Sequence, residues 1–190
     1  MTLLLKLILI FIITINYSYS SEIFKVISSV NNQAITYIDL KKEIQVLKIF
    51  GEKTNLKEKA LNNLINEKIK IAEIKKNNIE IEIKNINNYY YQFLKKLRID
   101  ENEIKKETKI NLYNKVKLEI EWNSLIYKKY GNKININILE IKNKIKEQKK
   151  TDNVFDEKKL IEIEKNNKIK VFSNYHLNFL KSESSIRYFE

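Results

Sequence analysis

The sequence predicts a mostly α-helical fold with a small β-element, and three observations lead to this fold class. The 190 residues include no proline and only two glycines, so residues that form tight turns are scarce and long helices are favoured. Apolar side chains recur at spacings of three and four residues over much of the chain, as in amphipathic helices. Short segments at residues 23–30 and 186–189 predict strands that can pair and join the two chain ends.

A β-hairpin is predicted near the N-terminus. Residues 23–30 are largely apolar and rich in β-branched side chains, and residues 33–35 form a short return strand. Between them, Asn31 and Asn32 tolerate the positive φ angles of a tight hairpin turn. The segment is therefore expected to fold as strand, turn and strand before the first helix begins.

The first helix carries signals at both of its ends. Thr36 lies three residues before Asp39, which predicts a capping box with aspartate in place of the usual glutamate or glutamine. The helix is predicted from Tyr37 to Phe50, and Gly51 is placed for its C-terminal cap.

Five further helices follow from the apolar periodicity. Asn55 and Glu58 predict an N-cap and a capping box for the second helix. Asp100 and Glu103 are expected to cap a short helical turn after the third helix, and the helix that begins at Leu112 is expected to be the longest. The predicted spans are Asn55–Asn77, Glu82–Leu97, Leu112–Lys129, Leu139–Lys149 and Glu157–Leu180.

Residues 1–20 have the pattern of a cleaved signal peptide. One basic residue, Lys6, precedes an apolar core of residues 7–15, which is too short to span a bilayer as a helix. Ser18 and Ser20 supply small side chains at the −3 and −1 positions, so cleavage after Ser20 is predicted. The mature chain would then be exported without stable membrane insertion; an uncleaved N-terminal anchor is the alternative.

The formal net charge of +12 does not by itself indicate a nucleic-acid partner. The lysines are interspersed with glutamates along the predicted helices, which is typical of a solvated surface. No nucleic-acid recognition motif accompanies the charge, so nucleic-acid binding is not expected.

The sequence offers no set of residues for catalysis, for a metal or for a cofactor. It has no cysteine and a single histidine, His176, which is expected to be a surface or packed side chain. Acid pairs such as Glu80/Glu82 and Glu162/Glu164 are spaced i,i+2 and do not face each other on a helix. A glycine-rich phosphate loop, a Ser-His-Asp order and an HExxH motif are missing from the sequence, so an enzyme is not expected.

Several segments together resemble the SurA-type periplasmic chaperones. The run of residues 24–44 is similar to the family's opening V-x-x-V-V-N-N segment with its following helix. Further similarity lies at residues 59–71, 78–81 and 133–142, and the tail at residues 172–189 looks like the family's C-terminal helix and strand. The order of these segments behind a secretory signal makes the set more specific than any one motif.

The resemblance implies one SurA-N-like domain at residues 21–190. Its N-terminal core would be residues 21–149, and its C-terminal helix and strand would be residues 157–190. Family members usually carry parvulin-type prolyl isomerase domains between these two parts, and such a domain needs roughly 100 residues. Here only residues 150–156 lie between them, so the isomerase domains are expected to be absent.

By the same resemblance, the expected function is ATP-independent binding of unfolded outer-membrane or secreted proteins in the periplasm. One alternative is a non-enzymatic envelope assembly factor that docks a folded partner. Another is a relic of the isomerase family that works with a separate catalytic protein.

A protein of this kind needs apolar surface that clients can reach, and aromatic side chains suit this because they bury a large area at a small entropic cost. Tyr89, Tyr90 and Tyr91 span about 200° of a helical wheel, so they cannot all face one core. Trp122, with Tyr113 and Tyr127, forms a second candidate group. The predicted client-binding residues are Tyr89, Tyr91, Trp122, Tyr113 and Tyr127, with ordinary core packing as the alternative for each.

Overall fold

The computed structural model describes residues 25–148 and 157–189, and it confirms the mostly α-helical fold with a small β-element. The predicted signal segment at residues 1–20 and the predicted connector at residues 150–156 lie outside these ranges. None of the helices in the described ranges is long and apolar enough to cross a membrane. The elements are β1 (Val26–Val30), β2 (Gln33–Thr36), α1 (Tyr37–Ile49), α2 (Leu56–Lys76), α3 (Ile83–Leu97), α4 (Lys106–Tyr130), α5 (Ile138–Gln148), α6 (Glu157–Glu183) and β3 (Ile186–Tyr188).

The three strands form one antiparallel sheet in the order β2-β1-β3. Asn31 and Asn32 form the turn between β1 and β2 with φ angles of 47° and 67°, and Val30 pairs with Gln33. The predicted hairpin is therefore confirmed, and the described part of its first strand begins at Val26.

The predicted pairing of the two chain ends is also confirmed. Ser29 of β1 lies opposite Arg187 of β3, and the Ser28 hydroxyl donates a hydrogen bond of 2.8 Å to the carbonyl of Arg187. At the end of the ladder, the Asn31 N–H donates to the carbonyl of Ser185 at 2.9 Å. These contacts attach the end of α6 to the N-terminal hairpin.

Both predicted caps of α1 are present. The Thr36 hydroxyl accepts a hydrogen bond from the Asp39 N–H, and the Asp39 carboxylate accepts one from the Thr36 N–H at 2.9 Å. At the other end, Gly51 has a φ angle of +79° and its N–H donates to the carbonyl of Lys48 at 3.0 Å. This left-handed conformation is one that glycine adopts without steric cost.

Three details of the predicted helices are wrong. Asn55 is the N-cap residue of α2, but its backbone is left-handed and its side chain makes no capping hydrogen bond, so the predicted capping box with Glu58 does not form. Helix α4 begins at Lys106, six residues before the predicted Leu112, and the 27-residue α6 is longer than the 25-residue α4. The six residues added at the start of α4, residues 106–111, are mostly polar and form no apolar stripe, but their two lysines and one glutamate favour helix.

The buried apolar residues form three clusters, and α4 contributes to two of them. The first lies between the sheet, α1 and α2: Val30, Ile35, Leu40, Leu47, Ala60, Leu64, Ile65 and Ile69. The second lies between α1, α3 and α4: Val46, Tyr90, Leu94, Leu112 and Val116. The third lies between α2 and α4 and is covered by α6: Ile74, Leu118, Trp122, Leu125 and Ile126. Helices α2 and α3 both pack against α4. A groove lined by residues of all three helices lies between α2 and α3.

Candidate functional site

The groove between α2, α3 and α4 is the main candidate binding surface. Its volume is about 870 Å³, and the C-terminal end of α1 closes one part of it. Phe50, Tyr89 and Phe93 contribute aromatic side chains to its lining, and the rings of Phe50 and Phe93 meet edge to face at 5.8 Å. A volume of this size is within the range of ligand-binding clefts.

The three consecutive tyrosines of α3 have different environments. Tyr90 is buried and packs edge to face against Tyr113, with ring centroids 5.3 Å apart. Tyr89 and Tyr91 are 55% and 59% exposed. Tyr89 lines the groove, whereas Tyr91 lies on the same helix outside it.

The second group of predicted aromatic residues does not line this groove. Trp122 is fully buried, and its indole N–H donates a hydrogen bond of 2.8 Å to the Ser173 hydroxyl. A client cannot reach Trp122 in this fold, so the core-packing alternative holds for it. The Tyr113 hydroxyl donates to Asn87 at 2.9 Å. Tyr127 is exposed beside α6, where its ring lies 4.8 Å from the ammonium of Lys165.

The charged floor of the groove was not predicted from the sequence. The Lys115 ammonium of α4 makes ion pairs with Glu67 of α2 and with Glu43 of α1, the latter at 2.5 Å. The Glu43 side chain is only 2% exposed, and its carboxylate also accepts a hydrogen bond of 2.8 Å from Asn63. The sequence contains one indication of this cluster. Glu43 lies on the buried face of α1 between Leu40 and Leu47, where a charged residue needs a partner.

Burial and charge act in opposite directions on the pKa values of this cluster. Burial, reinforced by the negative charges of Glu43 and Glu119, raises the pKa of Glu67, although the attraction to Lys115 opposes it. Burial alone would lower the pKa of Lys115, but its attraction to Glu67 and Glu43 outweighs burial and raises that pKa. Lys115 is therefore held as a cation between two acidic side chains.

A second polar cluster surrounds His176, a buried residue of α6 that packs against α2 and α4. Of the two environments predicted for it, surface or packed, the structure shows the packed one. The imidazole stacks on Trp122 with ring centroids 5.7 Å apart, and its Nδ1 lies 3.0 Å from the Tyr130 hydroxyl. Its Nε2 lies 3.5 Å from the carboxylate of Glu73, which pairs with Lys129 at 2.8 Å. These contacts hold α6 against α2 and α4. Within the described ranges, no group of three or more His, Cys, Asp or Glu side chains is placed to hold a metal ion.

The stability of the protein is expected to fall on mild acidification because of His176. Burial, followed by the positive charge of Lys129, lowers the pKa of His176, so folding favours the neutral imidazole. Stability is then full above the ordinary histidine pKa of about 6.5 and decreases as the pH falls through that value towards the lowered one. Urea unfolding at about pH 7.5 and about pH 5.5 measures the loss.

A His176→Phe variant serves as the control because it keeps an aromatic ring against Trp122 and has no proton to gain. Since the chain contains one histidine, the variant should lose much less stability between the two pH values. Equal losses in both proteins would contradict the assignment to His176.

The described residues thus form a mostly helical fold with an open groove that is lined in part by aromatic side chains. The chain is similar to the protein named "Chaperone SurA" of Buchnera aphidicola subsp. Schizaphis graminum (strain Sg), with 34% identity over 136 residues. The aligned segment covers 68% of this chain and 29% of that relative. No protein-family model matches the sequence. The resemblance to SurA-type chaperones that was inferred from the residues is thus confirmed.

Proposed function

We propose that the chain is a non-enzymatic, ATP-independent chaperone that binds unfolded outer-membrane or secreted proteins in the periplasm. The observation that carries the proposal is the open groove with Tyr89 and Phe50 exposed along it. Exposed aromatic rings can hold extended segments of varied sequence because they bury a large area and need few directional bonds. The similarity to a protein named as a chaperone supports the same role.

The proposal includes export and a single functional domain. Cleavage of residues 1–20 as a signal would place residues 21–190 in the periplasm. With only residues 150–156 between the two family-like parts of the sequence, no isomerase domain is expected there, and client release would follow from weak binding at several positions rather than from nucleotide hydrolysis.

Alanine at position 89 is expected to weaken client binding without unfolding the protein. Aromatic residues at the centre of an interface contribute about 2 kcal/mol or more, which corresponds to about a 30-fold weaker Kd. The first measurement is the suppression, without ATP, of the aggregation of an unfolded outer-membrane β-barrel protein. The second is the Kd for the same client, which is kept unfolded by dilution from urea.

Tyr91→Ala is the matched control, since Tyr91 is equally exposed on the same helix but lies outside the groove. It should change the Kd much less than Tyr89→Ala does. Equal effects of the two variants would show that the groove is not the binding surface.

Two further results would redirect the proposal. Failure to bind any unfolded client, with tight binding to one folded envelope protein, would favour the assembly-factor alternative. Acceleration of the cis/trans equilibration of a proline test peptide would show isomerase activity, because the uncatalysed barrier is about 18–20 kcal/mol.

A further inference from the structure

The outer face of the last helix, α6, is apolar and exposed to solvent. The inner face of this helix packs on the core through side chains such as Ile169, Phe172 and Leu180. Four large apolar side chains lie on the outer face and are between 42% and 65% exposed: Ile163, Val171, Tyr175 and Phe179. They are separated by multiples of four residues, so they lie in a single row along the helix.

This outer face is almost free of charge. Between positions 166 and 182, Lys170 is the one exposed residue that is charged, and the other exposed residues are Asn166, Asn167, Val171, Asn174, Tyr175, Asn178, Phe179 and Ser182. On α4, by comparison, six of the ten exposed residues are charged. Few charged residues together with aromatic ones distinguish the centre of a protein–protein interface from the remaining surface.

The charge of the whole protein indicates a second copy of this chain as the occupant of the face. The chain has a formal net charge of +12, so two copies repel each other wherever their lysine-rich surfaces meet. An acidic partner would instead be bound best by those lysines. The uncharged face of α6 lets two copies approach without placing like charges opposite each other.

The spacing of the apolar row also fits contact with an identical helix. Side chains at i, i+4 and i+8 form a ridge, and the commonest helix packing places such ridges of two helices in each other's grooves, with the axes crossing at about 50°. Val171, Tyr175 and Phe179 form a continuous ridge of this kind. In a symmetric dimer the same surface of each copy faces the other, so the middle residue, Tyr175, would lie next to the two-fold axis.

We propose that the protein forms a weak symmetric dimer through the outer face of α6, with Tyr175 of each copy at its centre. The uncharged stretch is about 25 Å long and about 10 Å wide, the width of one helix, and this is less than the roughly 800 Å² per partner of a standard interface. A monomer–dimer Kd of about 10–100 μM is therefore expected. The inference does not depend on the proposed function, because the groove is lined by other helices.

Sedimentation velocity at about 2–300 μM measures the Kd of the protein purified after expression of the whole sequence. Tyr175→Lys brings two ammonium groups together at the axis and should weaken the dimer at least about ten-fold. Tyr91→Lys is the matched control, because Tyr91 is a similarly exposed tyrosine on α3, and it should leave the Kd unchanged. Raising NaCl from about 50 mM to about 500 mM should tighten the dimer of the unaltered protein, since salt screens the repulsion between the two cationic copies.

Cysteine variants locate the two-fold axis. The sequence has no cysteine, so Tyr175→Cys introduces a single thiol, and a disulfide between two copies needs Cα atoms about 4.4–6.8 Å apart. In a glutathione redox buffer, Tyr175→Cys should form disulfide-linked dimers much faster than Tyr91→Cys at the same protein concentration.

Four results would contradict the proposal. A protein that stays monomeric up to about 300 μM would overturn the dimer, and equal effects of the changes at Tyr175 and Tyr91 would overturn its placement on α6. Weakening of the dimer by salt would show that ion pairs join the copies, which an uncharged interface does not allow. If the protein is monomeric and Tyr175→Lys reduces the suppression of client aggregation, the face binds client rather than a second copy.

Discussion

Replacing Trp122 with alanine is expected to lower the free energy of unfolding by about 3–5 kcal/mol. The side chain is fully buried in the cluster between α2 and α4, so its removal leaves a large cavity. The substitution also removes the hydrogen bond to Ser173 and the stacking on His176, both of which connect α4 to α6. Domains are stable by only about 5–15 kcal/mol, so the loss should be plain in urea unfolding.

Tyr91→Ala is a suitable comparison because it removes an aromatic ring from an exposed position. Its cost should stay below about 1 kcal/mol. Trp122→Phe, which keeps most of the buried ring but loses the bond to Ser173, should fall between the two. A Trp122→Ala protein as stable as the Tyr91→Ala protein would contradict the core position of Trp122.

Replacing Lys115 with methionine is expected to destabilise the fold by a similar amount, about 3–5 kcal/mol, because it leaves a buried charge without its partner. Methionine has nearly the length of the lysine stem, so the loss reflects charge more than packing. Glu43 would keep its hydrogen bond from Asn63 but would lose the ammonium that neutralises it. Chemical unfolding at about pH 7.5 measures the change.

This loss should depend on pH. Burial raises the pKa of Glu67 even with Lys115 present, and removing Lys115 takes away the effect that opposes burial. An acid whose pKa is raised by folding contributes most below its unfolded value and loses that contribution as the pH rises. The difference in stability between the variant and the unaltered protein should therefore shrink from about pH 7.5 to about pH 5.

Lys117→Met is the matched control on the same helix. Lys117 is half exposed and pairs with Glu121 at 3.7 Å, one turn away. Exposed pairs of this kind contribute about 0.3–0.5 kcal/mol, so the control should change stability little at either pH. A Lys115→Met protein that behaves like this control would show that the three charged side chains do not form a buried unit.

Local patterns in the sequence were sufficient where the interactions themselves are local. The turn at Asn31 and Asn32 and the capping box of Thr36 and Asp39 depend on residues that are at most three positions apart. The same holds for Gly51, whose φ angle is set by the end of its own helix. Asn55 shows the limit of such patterns, because its left-handed backbone turns the side chain away from the cap that the sequence predicts.

The candidate site could be predicted only in part. The helical wheel shows that three consecutive tyrosines cannot all be buried, and Tyr90 is the buried one while Tyr89 lines the groove. Nothing local distinguishes Trp122 from an exposed aromatic residue, since its burial depends on α6, which follows it by more than thirty residues.

By itself, the sequence determined the helical class, the hairpin, the α1 caps and the resemblance to SurA-type chaperones, because periodicity, capping and turn chemistry act over a few neighbouring residues. Only the tertiary structure decided which charges meet. Glu43, Glu67 and Lys115 come from three helices, and a lysine-rich chain offers many other pairings of equal local merit. The packing of α4 against α1 and α2 selects one of them, because it removes these three side chains together from water.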